Sequence, residues 1–111
     1  MSEQKRKLAA IVFTDIVGYT KLSAENEPVA LKLLNTQRDI LKPIVKEHNG
    51  DWIKEIGDGL LLTFNTSVEA VLCSIKIQEA SKSIPNLDLR IGIHQGEVVF
   101  QGDDMVGDDV N

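Results

Sequence analysis

The spacing of apolar residues changes several times along the chain, and each change marks an element. Leu8 to Phe13 is a short unbroken apolar run containing Ile11 and Val12, the pattern of a central strand covered on both faces. Gly18 to Ser23 reads as a polar turn. From about Asn26 to His48 the apolar positions Ala30, Leu33, Leu34, Ile40, Leu41, Ile44 and Val45 recur with helical spacing. Pro43 is expected to kink or divide that helix, and His48-Asn49-Gly50 closes it. The runs DWIKEI and LLLTF then form a hairpin around Asp58. Thr66 followed by Glu69 is a capping-box pattern for a helix to about Ser83, broken by Pro85 and Asn86. Leu87, Leu89, Ile91 and Ile93 alternate with Asp88, Arg90 and Gly92, which predicts a half-buried strand. EVVF is its expected hairpin partner, with the turn at Gly96. The order strand, long helix, strand, strand, helix, strand, strand predicts an α/β (α+β) two-layer sandwich with a ferredoxin-like core. Its sheet is mixed or antiparallel, with the helices on one face.

Asp15 follows the first apolar run, and Asp58 stands between Gly57 and Gly59. Hairpin punctuation accounts for Gly59, because Asp-Gly between strand-like runs is a strong turn signal. In a sheet of this order, however, the first strand and the hairpin are central neighbours, which would set the two carboxylates side by side. Like charges in contact call for a cation. Mg²⁺ suits such a pair, since it retains waters and takes its remaining ligands from substrate phosphates. The adjoining GYTKLS puts Gly18 and Thr20 at a helix start, where free N–H groups favour phosphate oxygens.

Composition narrows the partners. The 111 residues suffice for one domain, and 42% hydrophobic with 26% charged residues fits a globular chain. A formal net charge of -5 would repel nucleic acid and anionic bilayers, so phosphate contacts should be local and cation-assisted. Cys73 is the only cysteine and lies in an apolar helical pattern, which excludes an internal disulfide and suits a reducing compartment. The apolar run after MSEQKRK is too short for a signal peptide, and none reaches membrane-spanning length. A cytoplasmic protein is expected, without nucleic-acid or membrane contact from this segment.

FTDIVGYTKLS (13–23), WIKEIGDGLLLTF (52–64), LRIGIHQGEVV (89–99) and DDMVGDDVN (103–111) together resemble the class III nucleotide cyclase catalytic domain, in a compact bacterial form. They stand in family order and cover nearly the whole chain. The resemblance implies that Asp15 and Asp58 are the metal-binding carboxylates for a pair of Mg²⁺ or Mn²⁺ ions, with the carbonyl of Ile16 as a further ligand. It implies that the turn Ile16-Val17-Gly18-Tyr19-Thr20 holds the β- and γ-phosphates. Lys54 matches the base-recognising lysine, Asp104 its acidic partner with Asp103 as the alternative, and Asn111 the residue that orients the ribose. Family members act as head-to-tail homodimers: one chain supplies the metal carboxylates, the other the residues matching Lys54, Asp104 and Asn111.

The implied reaction is ATP to 3′,5′-cyclic AMP and pyrophosphate, the ribose 3′-hydroxyl attacking the α-phosphate in line. A lysine donor suits adenine N1, and Asp104 can accept from N6, so ATP is the favoured substrate. The alternatives are a guanylate cyclase, a different metal-dependent nucleotidyl transferase of similar palm topology, whose acidic motif would not normally be followed by Gly-Tyr-Thr, and a catalytically silent nucleotide-binding or dimerisation module. The family's transition-state arginine follows the Val-Asn pair by four residues, so residues 1–111 read as the N-terminal portion of a C-terminally truncated catalytic domain. This piece is expected to be inactive alone, within an active parent that could carry a fused sensor or regulatory domain. His94 reads as a solvated or packed strand-end residue, His48 as a helix end, Trp52 as dimer surface, Tyr19 as packing for the turn and Arg90 as a solvated strand face.

Overall fold

The computed structural model describes residues 4–101 and 104–106, and side chains from 7 to 99. β1 (Gln4–Ile16) leads into α1 (Tyr19–Glu25) and α2 (Glu27–Glu47). The hairpin of β2 (Asp51–Ile56) and β3 (Gly59–Phe64) follows, then α3 (Ser67–Ser81), β4 (Leu89–Gln101) and β5 (Asp104–Val106). The strands form one sheet in the order β2-β3-β1-β4-β5, with every pairing antiparallel.

β1 is central, paired from Ala10↔Phe64 to Thr14↔Leu60 with β3 and from Gln4↔Gln101 to Ile16↔Leu89 with β4. Its alternation explains the unbroken apolar run. Ala10, Val12 and Ile16 join the core beneath the helices, with Leu62, Phe64, Leu41 and Ile77. Ala9 and Ile11 join a smaller cluster with Leu61 and Val98 on the opposite face. The two-layer sandwich with helices on one face is therefore the observed fold.

Several local expectations are corrected. The polar turn at 18–23 is instead α1, a seven-residue helix pinned by Tyr19 and Leu22, which pack against the core three residues apart. Pro43 does not divide α2, which runs unbroken through it. Its ring lies on an exposed face, and the stripe Ala30, Leu33, Gln37, Leu41, Val45 stays buried on both sides of it. Packing of that stripe outweighs the one backbone hydrogen bond that proline forfeits. Gly96 makes no turn: it sits opposite Ala9 inside the 13-residue β4, whose continuous pairing with β1 overrides the local glycine signal. The partner of β4's far end is β5 rather than EVVF. Apart from these corrections, Trp52 is half-buried against the helix-side core, with Lys42 Nζ 5.6 Å from its ring centroid.

The capping box at α3 forms: Thr66 Oγ1 accepts from the Glu69 amide at 3.1 Å and donates to Glu69 Oε1 at 3.0 Å. Further along α3, burial pushes the Cys73 thiol up from 9.0 to about 11. The folded chain keeps that proton where the unfolded chain loses it, so Cys73 should weaken the fold as pH rises from 9.0 towards about 11. Urea unfolding across this window should show the fall, and C73A should lack this part of it. An identical pH profile in C73A would refute the assignment.

Candidate active site

The β2–β3 turn contains only Gly57 and Asp58, since Ile56 already pairs with Gly59. Gly57 takes φ 61°, the left-handed conformation that such tight hairpins require and that glycine adopts without strain. Gly59 is needed for a different reason: a Cβ there would lie 2.9 Å from the Thr14 carbonyl oxygen. Its absence lets the turn press against the end of β1. Asp58 is thereby brought beside Ile16, whose buried amide donates to Asp58 Oδ2 at 2.8 Å.

Asp15 faces the opposite side of the sheet from its buried neighbours Thr14 and Ile16. It stands directly across from Arg90 of β4. Arg90 grips it with two hydrogen bonds, Nε to Oδ1 at 2.8 Å and Nη2 to Oδ2 at 3.1 Å. The Asp15 hydrogen bond, then its charge, and more weakly the charge of Asp58 hold the Arg90 guanidinium above its ordinary value. Both carboxylates therefore act in one small neighbourhood. A cleft of about 370 Å³ joins them, lined by Asp15, Ile16, Gly18, Tyr19, Thr20, Lys21, Asp58 and Arg90. A larger groove of about 470 Å³ between α3 and β4, walled by Val71, Ile75, Ile91 and Ile93, is mainly apolar and contains neither carboxylate.

The remaining predicted residues fall into three groups. Ile16, Gly18, Tyr19 and Thr20 line the cleft, whereas Val17 does not; its amide donates to the Asp88 carbonyl at 2.8 Å. With the Ile16 amide on Asp58 as well, only the amides from Gly18 onward are left to meet an anion. Lys54 lies away from the cleft, on β2, where a bulge shifts the register from Trp52↔Leu62 to Lys54↔Leu61. Regular pairing would set Lys54 against Leu60 on the helix side; the bulge moves it to the face shared by Leu61, Ile11 and Ile53. Asp15 belongs to that same face by alternation. The Asp104 backbone pairs with Gln101 in β5, while its side chain, and Asp103 and Asn111 altogether, lie outside the described residues.

Arg90 was expected to be a plain solvated strand position. It is exposed, but its guanidinium is committed to Asp15, a relation that needs the β1–β4 register and leaves no mark in local sequence. Gln37 is a second residue that the hydrophobic pattern passes over. It is buried on α2, with Nε2 3.4 Å from the Asp58 carbonyl oxygen.

The donors fit a hard divalent cation: two carboxylates and a backbone carbonyl offer oxygen alone. Among the described residues no three His, Cys, Asp or Glu side chains converge. Such a partial shell suits Mg²⁺ or Mn²⁺ completed by water and phosphate oxygens.

An antiparallel sheet with helices on one face and a carboxylate pair at the tip of its central strands is an arrangement suited to cation-assisted chemistry on a nucleotide. The chain belongs to the adenylate and guanylate cyclase catalytic domain family, whose model matches residues 1–110. A Rhizobium meliloti (strain 1021) protein named as an adenylate cyclase is 35% identical over 115 residues, covering 96% of this chain and 20% of its own. The receptor-type guanylate cyclase Gyc76C of Drosophila melanogaster is 30% identical, covering 83% of this chain and 7% of its own. The crystal structure of an adenylate/guanylate cyclase/hydrolase from Silicibacter pomeroyi superposes with a TM-score of 0.87 at 32% identity, over 98% of this chain and 68% of that one. The chain thus spans a fifth or less of the length of these curated relatives. Among the described residues no helix is long and apolar enough to cross a membrane.

The Ile16–Asp58 hydrogen bond separates a structural role of Asp58 from a chemical one. D58A strands the buried Ile16 amide and should cost about 1–3 kcal/mol in urea unfolding. D58N keeps an acceptor and should lose less than half as much. A loss near zero in D58A would mean that the bond adds nothing to the fold.

Proposed function

We propose that this domain is the catalytic portion of an adenylate cyclase, converting ATP to 3′,5′-cyclic AMP and pyrophosphate at the interface of a head-to-tail homodimer. The observation that carries the reading is the joining of Asp15 and Asp58 in one cleft with Arg90 and the Gly18–Thr20 turn. In this reading Asp15, Asp58 and the Ile16 carbonyl hold a pair of Mg²⁺ or Mn²⁺ ions. Bound there, the ions acidify the ribose 3′-hydroxyl and neutralise charge on the triphosphate. Arg90, which bonds Asp15 and lines the same cleft, would offer its guanidinium to phosphate oxygens. The Gly18–Thr20 amides accept the β- and γ-phosphates, with Val17 serving the turn's shape through its bond to Asp88. Lys54 donates to adenine N1 in the partner's site, Asp104 accepts from N6, and Asn111 orients the ribose.

Relatives named for either substrate match the chain, so Lys54 carries the base assignment. Guanine N1 bears a hydrogen and would repel a lysine donor; adenine N1 accepts. In the full-length protein kcat/KM should favour ATP over GTP, and K54E should reduce that preference by about 1–3 kcal/mol. An unchanged ratio would remove Lys54 from the base pocket, and a wild-type preference for GTP would make the protein a guanylate cyclase. Nucleotide binding without turnover by either would favour the silent module.

A site shared between chains has its own test. D58N and K54A should each be nearly inactive, because each spoils both sites of its homodimer. Co-refolded at equal concentration, about half of the dimers are mixed and hold one intact site, so activity should recover to roughly a quarter of wild type. Mixed dimers confirmed by tagged pull-down but still inactive would overturn the shared site.

A further inference from the structure

We propose that Gln37 of α2 is a positioning residue for the cation site, holding the Asp58 backbone while the Ile16 amide holds its carboxylate. The inference rests on the reading of Asp15 and Asp58 as cation ligands. It starts from a breach of pattern. Gln37 stands four residues after Leu33 and four before Leu41, within the buried stripe of α2, and is only 2% exposed. Packing alone would place leucine or methionine there, since burying an amide without full hydrogen bonding is costly.

The other buried polar side chains with a described bond behave differently. Ser74 and Ser81 turn their hydroxyls back onto their own helix, to the carbonyls of Ala70 and Gln78. Gln37 instead reaches 21 residues along the chain, its Nε2 lying 3.4 Å from the Asp58 carbonyl oxygen, a long hydrogen bond. Among the described residues its Oε1 meets no protein partner, so Nε2 makes the amide's one described bond. What it touches is the two-residue turn that carries Asp58.

That turn needs a second tether. The Ile16 amide fixes one carboxylate oxygen. That bond holds the side chain of Asp58 and not its backbone, and a cation shared with Asp15 requires a fixed distance between the carboxylates. Gln37 ties the backbone of the same residue to the buried stripe of α2. Contacts at one remove from a metal govern its affinity by orienting the ligands, typically by 10–100-fold.

Mn²⁺ alone is the probe, titrated into the protein and followed by the EPR signal of the free ion. Thermal unfolding is measured in parallel on wild type, Q37M, Q37L and D58N. Q37M and Q37L remove the amide with differently shaped apolar side chains, so a packing fault peculiar to one would not recur in the other. Both should melt at or above the wild-type temperature, because an apolar side chain replaces a buried amide, yet bind Mn²⁺ about tenfold more weakly. D58N should bind more weakly still. Q37M and Q37L within about twofold of wild-type affinity, beside a weakened D58N, overturn the positioning role and leave the cation site standing. Weaker binding matched by a large fall in melting temperature in both also overturns it, as a purely structural effect. Unchanged binding in D58N removes Asp58 from the cation site and takes both readings with it.

Discussion

The hydrogen bond from the Ile16 amide to the Asp58 carboxylate joins the end of the central strand to the tip of the neighbouring hairpin. It spans 42 residues of sequence, and several features are subordinate to it. Gly59 must lack a side chain for the turn to come close enough to Thr14. Gly57 must turn left-handed to leave Asp58 at the tip. β1 must run to Ile16 so that its last amide faces the turn, which also places Asp15 on the other side of the sheet, opposite Arg90.

The charge distribution is arranged around the same point. An acidic chain would ordinarily repel a triphosphate, but Arg90 and Lys21 border the cleft that holds the carboxylates. Arg90 acts as the counter-charge for Asp15, which offsets the repulsion between that carboxylate and Asp58. A second bidentate pair, Arg38 to Glu55 at 2.7 Å for both bonds, ties α2 to β2 on the helix side of the hairpin. There Arg38, chiefly by its hydrogen bond, holds the Glu55 carboxyl below its usual range. The pair is partly exposed, so its worth is in alignment more than in stability.

Much of the fold was legible because the strongest sequence signals and the strongest packing agree. The Leu8–Phe13 run, the α2 stripe and the Thr66–Glu69 cap each describe local chemistry that the tertiary structure leaves intact. The failures came where long-range pairing overrode a local signal. Gly96 and Pro43 are both breakers by conformation, yet one lies in a strand zipped along β1 and the other on the exposed side of a helix anchored at both ends. In the site, Asp15 and Asp58 could be found as isolated acids at strand ends. Arg90 and Gln37 could not: the first depends on a register and the second on which helix turn lies beneath the hairpin. Neither quantity is carried by neighbouring residues in sequence.

The bulge in β2 makes the identity of residue 54 only half of what that position says. Which face of the sheet it addresses is decided by one extra residue, Ile53, in the strand before it. Exchanging the side chain between this domain and a relative therefore transfers a chemical group but not its direction. A graft meant to carry nucleotide preference from one cyclase to another would have to move the irregular backbone as a unit, from Trp52 through the hairpin. A deletion of a single residue there would be a change of orientation disguised as a change of length.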